Sequence, residues 1–140
     1  MRTSDDRVSA LRIPAVDPQD GDGYLNIYTW AHRQTDAPTD VADRVARVAV
    51  ALVRNAHQWT RSGQPGGHAT LEIVRGRFDI AVSVTDEGTT PSPAGTHTFP
   101  VATPHTGGLH TVDALALYWD WDGGAGTPIT VRALIDRRTF

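Results

Sequence analysis

Four short stretches of this sequence carry side chains able to bind or move charge. Asn55 sits within Leu52-Val53-Arg54-Asn55-Ala56, three residues past Leu52 and seven past Val48, so on a helix it points with the apolar stripe. A buried amide left without partners costs about 1–3 kcal/mol. Asn55 is therefore either bonded to backbone within the core or a ligand for a metal ion or substrate. Asp86-Glu87-Gly88 stops an apolar run, placing a carboxylate at a strand end with permissive backbone just after it; in isolation it reads equally as a turn. Thr106-Gly107-Gly108-Leu109 opens a helical pattern, where unpaired N–H groups and the helix dipole suit an anion such as phosphate, or simply cap the helix. Gly126-Thr127 adds a hydroxyl in the last hairpin.

These residues need elements to hold them. Residues 1–10 are polar, alternate in charge and show no apolar period, so they read as a loose leader before a single domain over 11–140. Leu11, Ile13 and Val16 form a short strand, placed at a sheet edge by Pro14, and residues 17–23 are turn-rich. Residues 24–31 fit a helix by the spacing of Leu25, Tyr28 and Ala31, or a strand by aromatic and β-branched content; the helix is the reading adopted. Asp40 caps the longest helix, over 41–59, in which Val41, Val45, Val48, Leu52, Ala56 and Trp59 make one apolar stripe. Two alternating runs, 69–74 and 78–84, flank Arg75-Gly76-Arg77 as a hairpin, and residues 86–108 form a long loop rich in Pro and Gly. A helix over 109–117 and a closing hairpin over 118–121 and 129–135 complete the order. Trp119 and Trp121 share one strand face and are expected in the core. A two-layer α+β sandwich, with a mostly antiparallel sheet and helices on one face, satisfies this order.

Composition removes several chemistries. The 140 residues contain 13 cationic side chains, all of them Arg, so no lysine can serve as a Schiff base or phosphate ligand. The absence of Cys excludes thiol catalysis, thiolate zinc sites and disulfides. A net charge of −3 and no arginine cluster beyond Arg137-Arg138 argue against nucleic-acid binding. No apolar run is long enough for a membrane helix, and the start lacks the order of a signal peptide, so a cytoplasmic protein is expected. His97, His105 and His110 could be imagined around zinc, but their spacing fits no ordinary metal pattern.

The order of the boxes resembles the ATP-binding domain shared by gyrase, heat-shock chaperones, histidine kinases and mismatch-repair proteins, the Bergerat fold. Within it, residues 41–135 look most like the anti-sigma-factor serine kinases of actinobacteria, through Leu52–Ala56, Val84-Thr85-Asp86-Glu87-Gly88, Gly107-Gly108-Leu109 and Gly126-Thr127. The resemblance implies ATP and Mg2+: Asn55 as the metal ligand, Asp86 accepting from the adenine amino group, and Gly88 making room for the base. It also implies Gly108 and Leu109 at the phosphates, Thr127 as a hydroxyl near the adenine, and the long loop as a lid. It further implies a partner protein, a sigma factor or its antagonist, and, because members often dimerise through the sheet, a homodimer.

The sequence departs from that pattern at the catalytic glutamate, one turn before Asn55, where Ala51 stands. A methyl group accepts no proton, and losing a general base lowers rate by about 10²–10⁴ while nucleotide binding can survive. Thr106 replaces the first glycine of the phosphate box, and the region before the long helix is shorter and more aromatic than the family's. The expectation is a regulatory binder without efficient phosphotransfer. Two alternatives stand beside it: an active serine kinase in which Asp43, Asp113 or a water replaces the base, and a scaffold repurposed for another small molecule.

Overall fold

The computed structural model describes residues 7–14, 21–59, 67–87, 109–123 and 127–138. Five strands, β1 (Arg7–Pro14), β2 (His68–Arg75), β3 (Asp79–Thr85), β4 (Tyr118–Asp122) and β5 (Thr130–Asp136), form one sheet in the order β1-β2-β3-β5-β4. Every neighbouring pair is antiparallel. Helices α1 (Gly21–Thr35), α2 (Thr39–Trp59) and α3 (Leu109–Leu115) supply the second layer, which makes the fold the expected α+β sandwich.

The alternation of the strands decides which sheet face is covered. Ile73, Leu71, Val82, Val84, Val131 and Ala133 all point to the helices and are buried, as period-two side chains on one face must be. α2 lies across the middle of that face, packed on β2, β3 and β5, with α1 and α3 on its two sides. Its expected stripe is buried through Val41, Val45, Val48, Leu52 and Ala56, and Ala42, Ala46, Ala49 and Val53 widen it. The small side chains let the flanking helices come close.

The opposite face carries no helix among the described residues. Across it runs a row of apolar side chains in register, Val8, Val74, Ala81, Leu134 and Tyr118, one from each strand. The next row reads Ala10, Glu72, Ser83, Arg132 and Asp120.

Several expectations need correction. Arg7–Ala10 are paired with Arg75–Glu72 as the first half of β1, so the leader reading does not hold for these four residues. Their signal was hidden because the two apolar residues among them, Val8 and Ala10, are exposed on the sheet face away from the helices. α1 begins at Gly21, inside the stretch read as turn, and α2 begins at Thr39, with the Pro38 carbonyl accepting from Ala42 N at 2.9 Å. Between them Asp36 adopts a left-handed φ of 50°, ending α1 where glycine is more usual. α3 stops at Leu115. It reaches Trp119, half-buried and donating its indole N–H to Asp113 at 3.1 Å, and leaves Trp121 exposed at 41%. Trp121 is thus not a core residue. At the closing hairpin Gly123 has φ 121°, and a Cβ there would stand 2.5 Å from the Pro128 carbonyl oxygen.

Leu52→Ala is expected to lower stability by about 2–5 kcal/mol, since its side chain is enclosed by α2's sheet contacts. Leu25→Ala, at a position 60% exposed, should stay within about 0.5 kcal/mol. Urea denaturation of the two variants reads the difference.

Candidate functional site

The direction of α2 against the sheet places the predicted residues. Arg44, near the start of α2, donates to the Arg138 carbonyl at 3.3 Å, just beyond the end of β5 where Asp136 pairs with Asp79. The helix therefore starts over the first residue of β3, and because it stays packed on β2, β3 and β5 it runs the same way. Roughly 16 Å of helix separate Arg44 from Asn55, and roughly 23 Å of strand separate Asp79 from Asp86. Asn55 and Asp86 thus stand at the same end of the sandwich.

Both are buried, Asn55 at 1% exposure and Asp86 at 4%. Asp86 continues the β3–β5 ladder, its N–H donating to the Ile129 carbonyl at 2.9 Å while its Oδ1 accepts from Ile129 N–H at 3.2 Å. By strand alternation it falls on the helix-facing side with Val82 and Val84. Thr85 and Thr130 link their hydroxyls beside it at 2.8 Å. Asn55 has neither its Oδ1 nor its Nδ2 bonded among the described residues, although both atoms are enclosed. Among the described residues, therefore, no backbone group satisfies the Asn55 amide.

Two hollows among the described residues bear on the site. One of about 440 Å³ at the sheet end is lined by Asp86 and Glu87 together with Arg12, His68, Thr70, Thr85 and Pro128. The other, of about 360 Å³, lies on the outer side of α2 between α1 and α3, with Ala51 in its lining. Neither hollow is lined by both Asn55 and Asp86.

The remaining predicted residues divide. Leu109 is fully buried, so its side chain belongs to the core and only its backbone is left for a phosphate. Thr127 lies two residues before Ile129 and so at the same sheet end as Asp86, with an exposed side chain. Gly88 and Gly108, together with Thr106, Gly107, Gly126, His97 and His105, lie outside the described residues. His110 is exposed on α3. The described residues contain no group of three or more His, Cys, Asp or Glu side chains that could hold a metal ion, and no described helix is long and apolar enough to cross a membrane.

The two aspartates considered as substitute bases are both engaged. Asp43 accepts the Tyr28 hydroxyl and lies 3.8 Å from the Arg47 guanidinium, and this carboxylate raises the pKa of the Tyr28 phenol, chiefly through the hydrogen bond. Asp113 accepts from Trp119.

His57, read from sequence as a rim residue, is half-buried: its Nδ1 lies 3.2 Å from the Tyr24 hydroxyl, and its Nε2 is enclosed without a partner among the described residues. Burial pushes its pKa below the usual 6.5 and pushes that of Tyr24 up, against the lowering effect of Arg54. The signal available in the sequence was the aromatic content of α1, whose Tyr24 is the partner. The sequence matches no protein-family model and no curated protein.

Asn55→Leu replaces two enclosed, unbonded polar atoms by apolar groups of similar size, so it should raise stability by about 1–3 kcal/mol in chemical denaturation; a loss would mean that the amide is satisfied. A histidine whose folded pKa is depressed binds its proton more readily in the unfolded chain, so its contribution declines as pH falls through about 6.5 and levels off below the folded pKa. Between about pH 7.5 and 5.5 the urea midpoint of the wild type should therefore fall further than that of His57→Gln.

Proposed function

We propose that this chain is a regulatory protein on the scaffold of an ATP-binding kinase domain, holding Mg2+-ATP and a partner protein without efficient phosphotransfer. The observation that carries this reading is Asn55, a buried amide with both polar atoms unbonded at the same sandwich end as a buried aspartate. An unsatisfied amide destabilises the fold, and a hard oxygen ligand is what Mg2+ requires. The residues present fit the group: the Asn55 carbonyl oxygen would meet the metal, and the Asp86 carboxylate, fixed in place by Ile129 N–H, would accept from an adenine amino group. Bound ATP would bring the phosphoryl group. Ala51 can take no proton from an acceptor hydroxyl, and Asp43 and Asp113 are tied to Tyr28, Arg47 and Trp119, which favours binding over turnover.

Partner binding draws on the sheet face that carries no helix among the described residues. By the resemblance the partner is a sigma factor or its antagonist. The same face also favours a second copy. About a two-fold axis along β3, strands β2 and β5 exchange places, bringing Glu72 opposite Arg132 of the partner subunit and Val74 opposite Leu134 of the partner subunit.

Calorimetry with Mg2+-ATP tests the nucleotide site. Asn at position 86 still accepts from Ile129 N–H but presents an amide N–H₂ to the base, so Asp86→Asn should abolish binding. The wild type should gain about 2.7 kcal/mol of stability at a hundredfold excess over Kd. Absence of heat with the wild type would end the reading. If the sheet face pairs with itself, Glu72→Arg and Arg132→Glu should each give monomers by light scattering, and the double variant should recover the dimer.

A further inference from the structure

The hollow on the outer side of α2 has features that the nucleotide reading does not use. Its floor is a single helical stripe, Arg47, Val50, Ala51 and Arg54, and α1 supplies a wall that includes Tyr24 and Leu25. The i, i+3, i+4, i+7 spacing puts an apolar patch between two guanidinium groups on one helix face. Leu25 borders that patch and is 60% exposed.

The two arginines differ in how far their charge is met. Arg47 lies 3.8 Å from an Asp43 oxygen whose neighbour takes the Tyr28 hydroxyl. Arg54 has no carboxylate in salt-bridge distance among the described residues; its guanidinium carbon lies 4.6 Å from the Tyr24 ring centroid. A guanidinium held over a ring keeps the N–H groups along its edge for a planar acceptor. Among the described residues the hollow therefore presents one positive charge without a carboxylate, beside the exposed apolar side chain of Leu25. Its volume of about 360 Å³ lies at the small end of the range for small-molecule sites.

We propose that this groove binds an organic monocarboxylate with an aromatic or branched aliphatic body. The carboxylate lies on the Arg54 guanidinium, where a planar fork meets two oxygens in parallel, and the body covers Val50, Ala51 and Leu25. One unmatched cation selects a monoanion over a phosphate dianion, whose second charge would find no counterpart. Ala51 is part of the selection, because a carboxylate at this position would stand in the floor and repel the ligand. The side chain missing for proton transfer is thus the one whose absence leaves room for an acid. The site is distinct from the nucleotide site, since neither Asn55 nor Asp86 lines it.

Titration calorimetry of the full chain with 3-phenylpropionate, and with 3-phenylpropionamide as the neutral counterpart, tests the proposal. The acid should bind in the weak range expected of so small a ligand, and the amide should bind at least about tenfold less well. Arg54→Gln and Ala51→Glu should each weaken the acid by about tenfold or more, with circular dichroism and the thermal midpoint verifying that both variants are folded. Leu25→Ser, at an exposed position, should weaken acid and amide together. The proposal is overturned if the acid does not bind, if acid and amide bind equally, or if Arg54→Gln keeps the wild-type affinity. Displacement of the acid by Mg2+-ATP would also overturn it, by making the groove part of the nucleotide cavity. Failure of the nucleotide reading is scored separately, by Asp86→Asn against ATP.

Discussion

The packing of α2 across the middle of the sheet is the constraint from which the other features follow. A helix with neighbours on both flanks and a sheet beneath it must be apolar around most of its circumference, and α2 meets this with valine and alanine. Two consequences for function arise from the same geometry. The buried amide of Asn55 is cut off from water and has no hydrogen-bond partner among the described residues. The residues left over on the outer side, Arg47 and Arg54, become the ends of a groove because α1 and α3 rise beside them. One helix thereby separates an interior polar site from an exterior one.

The interior site and the stability of the domain pull in opposite directions. An enclosed amide without hydrogen bonds is a defect by the ordinary accounting of buried polar groups, in which the large majority are satisfied. Such defects gather where a fold serves a ligand, because the ligand supplies the missing partner. Asp86 shows the other solution: its carboxylate is buried, yet the backbone N–H of Ile129 holds it in one orientation. A rigid acceptor and an unmet amide at one end of the sandwich form a pair that a nucleotide and its metal could complete.

The legible parts of the fold were those with strong periodicity. α2 and the β2–β3 hairpin could be read from spacing alone, because burial on one side imposes a period of 3.6 or 2 on the side chains. β1 before Leu11 could not, since its two apolar residues, Val8 and Ala10, are exposed on the sheet face away from the helices. The start of α1 at Gly21 was masked by a glycine and aspartate run that resembles a turn. For the site, the spacing of Asn55 after Val48 and Leu52 gave its burial, and the end of an apolar run gave Asp86 its place at a strand end. The sequence does not encode in any local pattern that Arg54 rests on Tyr24, nor that Tyr24 meets His57, since these contacts depend on how α1 crosses α2. Leu109, placed at the phosphates by its position in a motif, puts its side chain in the core and leaves only its backbone toward that end.

The strand order has its own implication for how the domain is assembled. β5, the last described element along the chain, lies inside the sheet between β3 and β4. Until it is in place, β4 has no neighbour to bond to and β3 has one open edge, so a nascent chain emerging from the ribosome holds a two-part sheet with an exposed seam. Pairings between distant segments make such folding slow, and an unfilled strand slot is a template for the wrong strand. Closure of the sheet, and with it the enclosure of Asp86 by Ile129, is therefore a late and cooperative event. Damage to the β5 segment would disturb the end of the molecule that holds Asn55 and Asp86 together with its scaffold.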